Sequence, residues 1–267
     1  MAALVPVAKA THAGKTWVRP PNGAFAAGEC YVPIVSAEVG RAASAMPIGL
    51  VRIEDRFVLV AMLSLTPGVN LFVDPQGQWV GAYVPALLRA YPFRLLHQAG
   101  SETFSLWVDP DWCREPVPGE SGFPFYGEQG GLSAETEAVA KGLAQFEGDR
   151  AATSRMLAAA AAESLIIPWP LEVVGRPEKR VFEGLYRFDE KRLGELADDR
   201  FVALRRAGVL PLIYGQLLSM NLLQIFAALA RLRGIQDGGA GAAQAEEPLA
   251  SRGDSFVLTE AQSLRFD

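Results

Sequence analysis

Histidine and cysteine are scarce in this chain: two of each in 267 residues, His12, His97, Cys30 and Cys113. All four stand far apart and share no metal-ligand spacing, which leaves zinc chemistry or a histidine base almost nothing to work with. No metal and no cofactor are expected. The cysteines read as small hydrophobes of a reducing compartment, with a disulfide between them left open. Basic charge is also short. Against 30 Asp and Glu there are 25 Lys and Arg, for a net charge of -5 and a pI of about 5.3. No basic patch stands out, so no nucleic-acid partner is expected. A phosphate loop, G-x-G-x-x-G, H-E-x-x-H and G-x-S-x-G are all missing. The opening MAALVPVAKATHAGKTWVRPPNG has neither the basic start nor the long apolar run of a signal peptide. Residues 1–30 read as an extended N-terminal arm, and the protein as cytoplasmic.

Charge of either sign is missing between Arg206 and Arg231, over AGVLPLIYGQLLSMNLLQIFAALA. That length would span a bilayer. Pro211, Gln216, Ser219, Asn221 and Gln224 interrupt it, and each polar group would need a partner inside lipid. The expectation is a buried central helix over 210–232 and no transmembrane segment.

What is present is strand pattern first and helix pattern later. CYVPIV (30–35) reads as a strand, with Ser36 capping a short helix to Ser44. MPIGLVRI (46–53) and RFVLVAMLSL (56–65) make a hairpin around Glu54-Asp55, the second run apolar enough to be covered on both faces. Residues 70–73 look strand-like. Asp74-Pro75-Gln76-Gly77 has the residue order of a type I turn, and 78–80 returns as strand. A helix over 84–90 stops before Pro92. FRLLHQ (93–98) and TFSLWVD (103–109) form a second hairpin around Ala99-Gly100, and 110–131 is a long loop. Helices are expected over 133–146 and, capped by Asp149, to Ser164. IIPWPLEVVG and RVFEGLYRF read as strands, and Asp189 and Asp198 as caps of short helices. The fold class is α+β: a mainly antiparallel sheet from the N-terminal half packed with helices from the C-terminal half. One domain is expected over 31–233, then a Gly/Ala-rich flexible linker over 234–252 and a short docking tail over 253–267, SFVLTEAQSLRFD included.

The densest passage is NLFVDPQGQWVGAYVPALLRAYPF, residues 70–93. It supplies the candidate ligand- or partner-binding residues Asn70, Asp74, Trp79, Tyr83, Arg89, Tyr91 and, one position on, Arg94. The turn already accounts for Asp74, so a structural role is preferred for it over a catalytic one. Trp79 and Tyr83 are amphipathic aromatics suited either to stacking on a ligand or to a core with the polar tip bonded outward. Arg89 and Arg94 suit a carboxylate or phosphate, held bidentately, and equally suit the carbonyls of a neighbouring loop. Asp109, Asp111, Glu115 and Glu120 approach a calcium-loop spacing, but Arg114 stands where that loop needs Gly, and a solvated loop is expected.

These residues resemble the SapC family, bacterial proteins named for a surface-layer protein export cluster. The likeness is carried by Gly68-x-Asn70-Leu71-Phe72-Val73-Asp74, Gly77-x-Trp79, Tyr83-x-Pro85 and Arg89-x-Tyr91-Pro92-Phe93, then by Asp189-Glu190 with Leu193, Gly208-x-Leu210 and the stretch from Tyr214 to Ser219. It runs from about Tyr31 to Arg233. Two positions depart from the family pattern: Ala90 replaces a second Arg, and Gln216 stands where a His is common. The resemblance implies a role in export, and an association with flavin-dependent tryptophan-halogenase-like proteins, cupin-like proteins and outer-membrane receptors.

Three readings of function follow. The first is a non-catalytic accessory or binding protein of an export or peptide/protein-tailoring pathway, with a protein or peptide partner and with homo-oligomerisation open. The second is an enzyme whose Arg89 or Arg94 holds an anionic substrate, with Asp74, Asp109 or Glu120 as acid or base. The third is a membrane-associated export subunit resting on the uncharged segment.

Overall fold

The computed structural model describes residues 3–97, 103–173, 180–182 and 184–233. The Ala99-Gly100 turn, the linker and the tail lie outside the described residues. The architecture is α+β, with antiparallel sheets built largely from the N-terminal half and helices concentrated in the C-terminal half. The chain divides into two compact units. Among the described residues the smaller takes 3–22, 86–97 and 103–148, and the larger 23–85, 149–173, 180–182 and 184–233. They divide the span read from sequence as one domain.

In the smaller unit, Phe93–His97 pairs with Phe104–Val108 as the sequence pattern predicts, and Val5–Pro6 adds a third antiparallel strand. A second three-stranded sheet sets Thr16–Trp17 between Cys113–Arg114 and Phe123–Pro124. The N-terminal residues are therefore tied into sheets, which corrects the expectation of an extended arm. Trp17 explains why. It is 1% exposed, meets Phe93 edge-on at 4.9 Å and Phe123 at 4.8 Å, and its indole N–H donates to the Thr136 hydroxyl at 2.9 Å. Removing so large a ring from water offsets part of the entropy lost in ordering the segment.

The larger unit holds a five-stranded antiparallel sheet in the spatial order Ile166–Pro168, Leu185–Phe188, Ile48–Ile53, Arg56–Met62, Tyr31–Pro33. Leu59 to Leu63 are all buried to within 1%, so this strand is covered on both faces as its unbroken apolar run predicts. The hairpin turn is Glu54-Asp55, with Glu54 in the left-handed region at φ 52°. Leu171–Val173 and Arg180–Phe182 form a separate two-stranded pair.

Several helical boundaries differ from the sequence reading. Ser36 opens a 3-10 turn, Ser36–Glu38, but makes no side-chain cap. Glu38 reaches back to the Val35 N–H at 3.3 Å instead, and the Ser36 N–H donates to Thr153 Oγ1 at 2.8 Å. The two helices expected around Gly148 are one, Ala134–Ala162, 29 residues long. Its buried positions, Thr136, Leu143, Phe146, Thr153, Leu157 and Ala160, keep one helical phase through Gly148, so nothing in the buried stripe calls for a break. Ser133 caps this helix by accepting from the Thr136 N–H at 3.2 Å. Asp189 caps Glu190–Gly194 as expected, accepting from the Arg192 N–H, whereas Asp198 is the first residue inside its helix and caps nothing.

The uncharged stretch is also different in form. Instead of one buried helix it is a helix at Leu210–Ser219, a 3-10 turn at Met220–Leu223 and a helix at Gln224–Leu232. By length and composition Leu210–Leu232 is apolar enough to cross a membrane, and 33% of its most apolar window is buried. The first helix lies on the Ile48–Ile53 and Leu185–Phe188 strands. Gly215 allows this approach, since a Cβ there would sit 2.2 Å from Val39 Cγ1. Gln216 and Ser219, both fully buried, bond the strands directly. Gln216 accepts from the Phe188 N–H at 3.1 Å and donates to the Ile48 carbonyl at 3.2 Å, while Ser219 accepts from the Ile48 N–H at 2.9 Å.

Gln216→Leu leaves a strand N–H and a strand carbonyl buried without partners. It is expected to cost about 2–6 kcal/mol in urea denaturation, from roughly 1–3 kcal/mol for each of the two orphaned groups. Gln216→His, which keeps one donor and one acceptor, is expected to lose less than half of that. Equal losses in the two variants would show that shape, not hydrogen bonding, matters at this position.

Candidate functional site

The seven candidate residues fall into two groups. Asn70, Asp74, Trp79 and Tyr83 belong to the larger unit; Arg89, Tyr91 and Arg94 belong to the smaller.

In the larger unit, residues 70–73 form turns with a single bridge between Val73 and Trp79, where the sequence pattern suggested two strands. The cause is Asn70. Its side chain is fully buried, donates to the Ala26 carbonyl at 2.9 Å and accepts from the Phe72 N–H at 2.9 Å, which folds the chain back on itself. Asp74 is the turn residue the sequence predicts: Oδ1 accepts from the Gln76 N–H at 2.9 Å and the Gln78 N–H at 2.7 Å, and the Gly77 N–H closes on the Asp74 carbonyl at 2.9 Å. Trp79 stacks on Phe72 with centroids 5.6 Å apart, and its indole N–H donates to the Tyr83 carbonyl at 3.0 Å. Gly81 lies against this stack so closely that a Cβ would be 2.8 Å from both Phe72 Cδ1 and Trp79 Nε1. The Tyr83 hydroxyl donates to Glu38 Oε1 at 2.7 Å. Glu38 is 5% exposed and joins Tyr83 to the Val35 N–H. Sequence reasoning missed Glu38. The available signal was a glutamate three residues after the helix entry, obscured because the entry residue is Val35 and not Ser or Thr.

In the smaller unit, Tyr91 is buried and its hydroxyl is doubly engaged. It donates to Asp109 Oδ2 at 2.5 Å and accepts from the Trp112 indole N–H at 2.9 Å. Burial, and secondarily the Asp109 carboxylate, hold the phenol well above the ordinary tyrosine range. Asp109 is 2% exposed and also accepts from the Asp111 N–H at 3.1 Å, capping the 3-10 turn Pro110–Trp112. The Cys113 thiol, 3.7 Å from the Asp109 carbonyl, is pushed up to about 11 by burial. Both cysteines are free thiols. Arg94 is 8% exposed, and its Nη1 donates to the Leu87 and Phe93 carbonyls at 3.0 Å each. Arg89 is exposed, in the last turn of the short helix Ala86–Arg89.

The acidic loop does not converge. Asp109 turns inward to Tyr91, Glu115 lies 3.8 Å from Lys15, and Glu120 lies 3.8 Å from Arg114. Among the described residues no group of three or more His, Cys, Asp or Glu is placed to hold a metal ion.

The residues set in place by these bonds are those of a family pattern, and the chain matches the family model described as SapC over residues 7–225. It belongs to the SapC family. The match begins well before residue 31, in keeping with an N-terminal segment that is part of the sheets. No curated protein and no solved structure matches the chain. In this SapC-family chain Gln216 is a buried bridge, bonded to two backbone groups.

Tyr91→Phe removes the hydroxyl that satisfies both Asp109 and Trp112. The expected cost is about 1–3 kcal/mol in urea denaturation at neutral pH. Because the folded phenol holds its proton above the unfolded value near pH ~10, its contribution is complete below that pH and is lost as pH rises through the folded value. The stability difference between the two proteins should therefore shrink in strong alkali. A constant difference would assign the loss to packing alone.

Proposed function

We propose that this SapC-family chain is a non-catalytic accessory or binding protein of a bacterial export or peptide/protein-tailoring pathway, working in the cytoplasm on a protein or peptide partner. The observation that supports this reading is the use to which the family signature is put. Asn70, Asp74 and Trp79 bond backbone, Tyr83 and Tyr91 bond buried carboxylates, and Arg94 bonds two carbonyls. Such bonds hold the backbone within each unit in one shape, and a backbone held in one shape before contact loses less ordering entropy on binding. Arg89 is an exposed signature residue, and an arginine at a surface is suited to contacting an anionic group on a partner.

The enzyme reading asks Arg89 or Arg94 to hold a substrate next to a working carboxylate. Arg94 is occupied with the Leu87 and Phe93 carbonyls, Asp74 with its own turn, Asp109 with Tyr91, and Glu120 lies beside Arg114. This arrangement favours binding over turnover.

The test is affinity purification of the tagged protein from its native cells, with soluble and membrane fractions kept apart, comparing wild type with Arg89→Ala. A partner retained in stoichiometric amount by wild type is expected to be lost by the variant, with an unchanged melting temperature. An Arg89→Ala chain that fails to fold makes Arg89 a structural clamp and removes it from the site. A chain that comes back bare from both fractions counts against the binding reading.

A further inference from the structure

The stretch from Arg200 to Arg233 contains five arginines and no acidic residue, in a chain whose net charge is -5. The asymmetry is easy to overlook because the arginines sit at the two ends of the uncharged segment and form no cluster. Two of them are engaged: Arg200 pairs with Glu163, and Arg233 donates to the Asn70 carbonyl. Arg205 and Arg206, just before the Leu210–Ser219 helix, and Arg231, in the last turn of Gln224–Leu232, are exposed. The acids of the preceding helix, Asp198 and Asp199, lie in its first turn, at the far end from Arg205 and Arg206.

Between these cations runs an outward face of uncharged residues. Tyr214 is 45% exposed, Leu218 68% and Leu232 82%, with Pro211, Asn221, Gln224, Ala227 and Ala228 exposed at the intervening helical positions. The opposite face, with Leu212, Ile213, Gln216, Ser219, Phe226 and Leu229, is buried. Large aliphatic groups thus point to solvent while a glutamine and a serine are kept inside. That inversion suits an apolar medium on the outer side.

We infer that the 205–232 face docks on an anionic lipid surface, the helices lying in the plane of the headgroups. Leu218 and Leu232 would enter the acyl boundary, Tyr214 would sit at headgroup level, and Arg205, Arg206 and Arg231 would meet lipid phosphates. Charge argues for this occupant over a second copy of the chain. Antiparallel pairing of two such faces brings Arg231 of one copy towards Arg205 and Arg206 of the other, and parallel pairing stacks like against like. An anionic surface neutralises all three. The inference is independent of the partner proposed above, because it uses different residues and a lipid readout.

The test is co-sedimentation of the full chain with phosphatidylcholine vesicles, with and without phosphatidylglycerol. The wild type is expected to sediment with the phosphatidylglycerol vesicles, to leave them in high salt and to remain in solution with the neutral ones. Leu218→Glu and, separately, the double change Arg205→Gln with Arg206→Gln are each expected to reduce the bound fraction about tenfold or more, as burial of a charge or loss of basic residues predicts. All three positions are exposed, and matching melting curves show that the variants fold. The proposal is overturned if neither vesicle binds the wild type, or if both bind it equally. It is also overturned if the lipid-free protein is a dimer that Leu218→Glu converts to monomer, which would make the face an interface between copies.

Discussion

Gln216 finishes a sheet that the strands themselves leave open. The Leu185–Phe188 and Ile48–Ile53 strands pair at Leu185 with Val51 and at Tyr186 with Leu50. Carrying that register onward sets Phe188 opposite Ile48, and there the Gln216 carboxamide stands between them, accepting from one strand and donating to the other. A primary amide has the donor and acceptor of a peptide group, so it replaces a ladder step without requiring the strands to close up. Ser219 completes the arrangement by taking the Ile48 N–H and returning its own proton to the Gln216 carbonyl at 2.6 Å. Leaving either strand group unpaired in a fully buried position would cost roughly 1–3 kcal/mol, and bonding both fixes this helix in place along its length and in rotation. Gly215 follows as a consequence, because a helix held at that distance has no room for a side chain over Val39.

Polar groups are used in the same manner elsewhere. Asp109 in the smaller unit and Glu38 in the larger are buried carboxylates that each join a tyrosine hydroxyl to a backbone N–H. Each fixes the start of a 3-10 turn and locks an aromatic side chain in one orientation. The family signature therefore reads as a set of instructions for backbone shape: Asn70 turns the chain, Asp74 turns it again, and Trp79 and Tyr83 hold the return, while Arg94, just past the signature, bonds the Leu87 and Phe93 carbonyls.

Features decided within a few residues were legible in the sequence. The Glu54-Asp55 hairpin, the Asp74 turn, the pairing of 93–97 with 104–108 and the Asp189 cap all depend on neighbours close along the chain, and all are present. The misreadings share a different cause. Gly148 and Asp149 look like a helix boundary to a local rule, but the stripe from Leu143 to Leu157 carries more burial than one glycine costs, about 1 kcal/mol. Ser36 has the right chemistry for a cap, yet its N–H is taken by Thr153, far along the chain, and Glu38 does the capping. Trp17 reads as part of an arm until Thr136, Phe93 and Phe123 are brought around it. For the candidate site, residue types were legible and their partners were not. Nothing local to Tyr91 announces Asp109, and nothing local to Tyr83 announces Glu38.

The uncharged stretch shows how one composition satisfies two surfaces. Its polar residues first argue against a spanning helix, since lipid offers them no partner. The structure gives Gln216 and Ser219 partners in the sheet and places Asn221 and Gln224 outward, near the 3-10 turn that separates the two helices. Pro211 falls in the first turn, where its missing N–H costs nothing. The same residues that argue against a spanning helix also orient the segment: Gln216 and Ser219, bonded inward, fix which face is hidden, and the face left over carries no charge. An isolated helix with this composition would have no preferred rotation. Bonded to Ile48 and Phe188, it has one, and Tyr214, Leu218 and Leu232 are the residues that rotation turns outward.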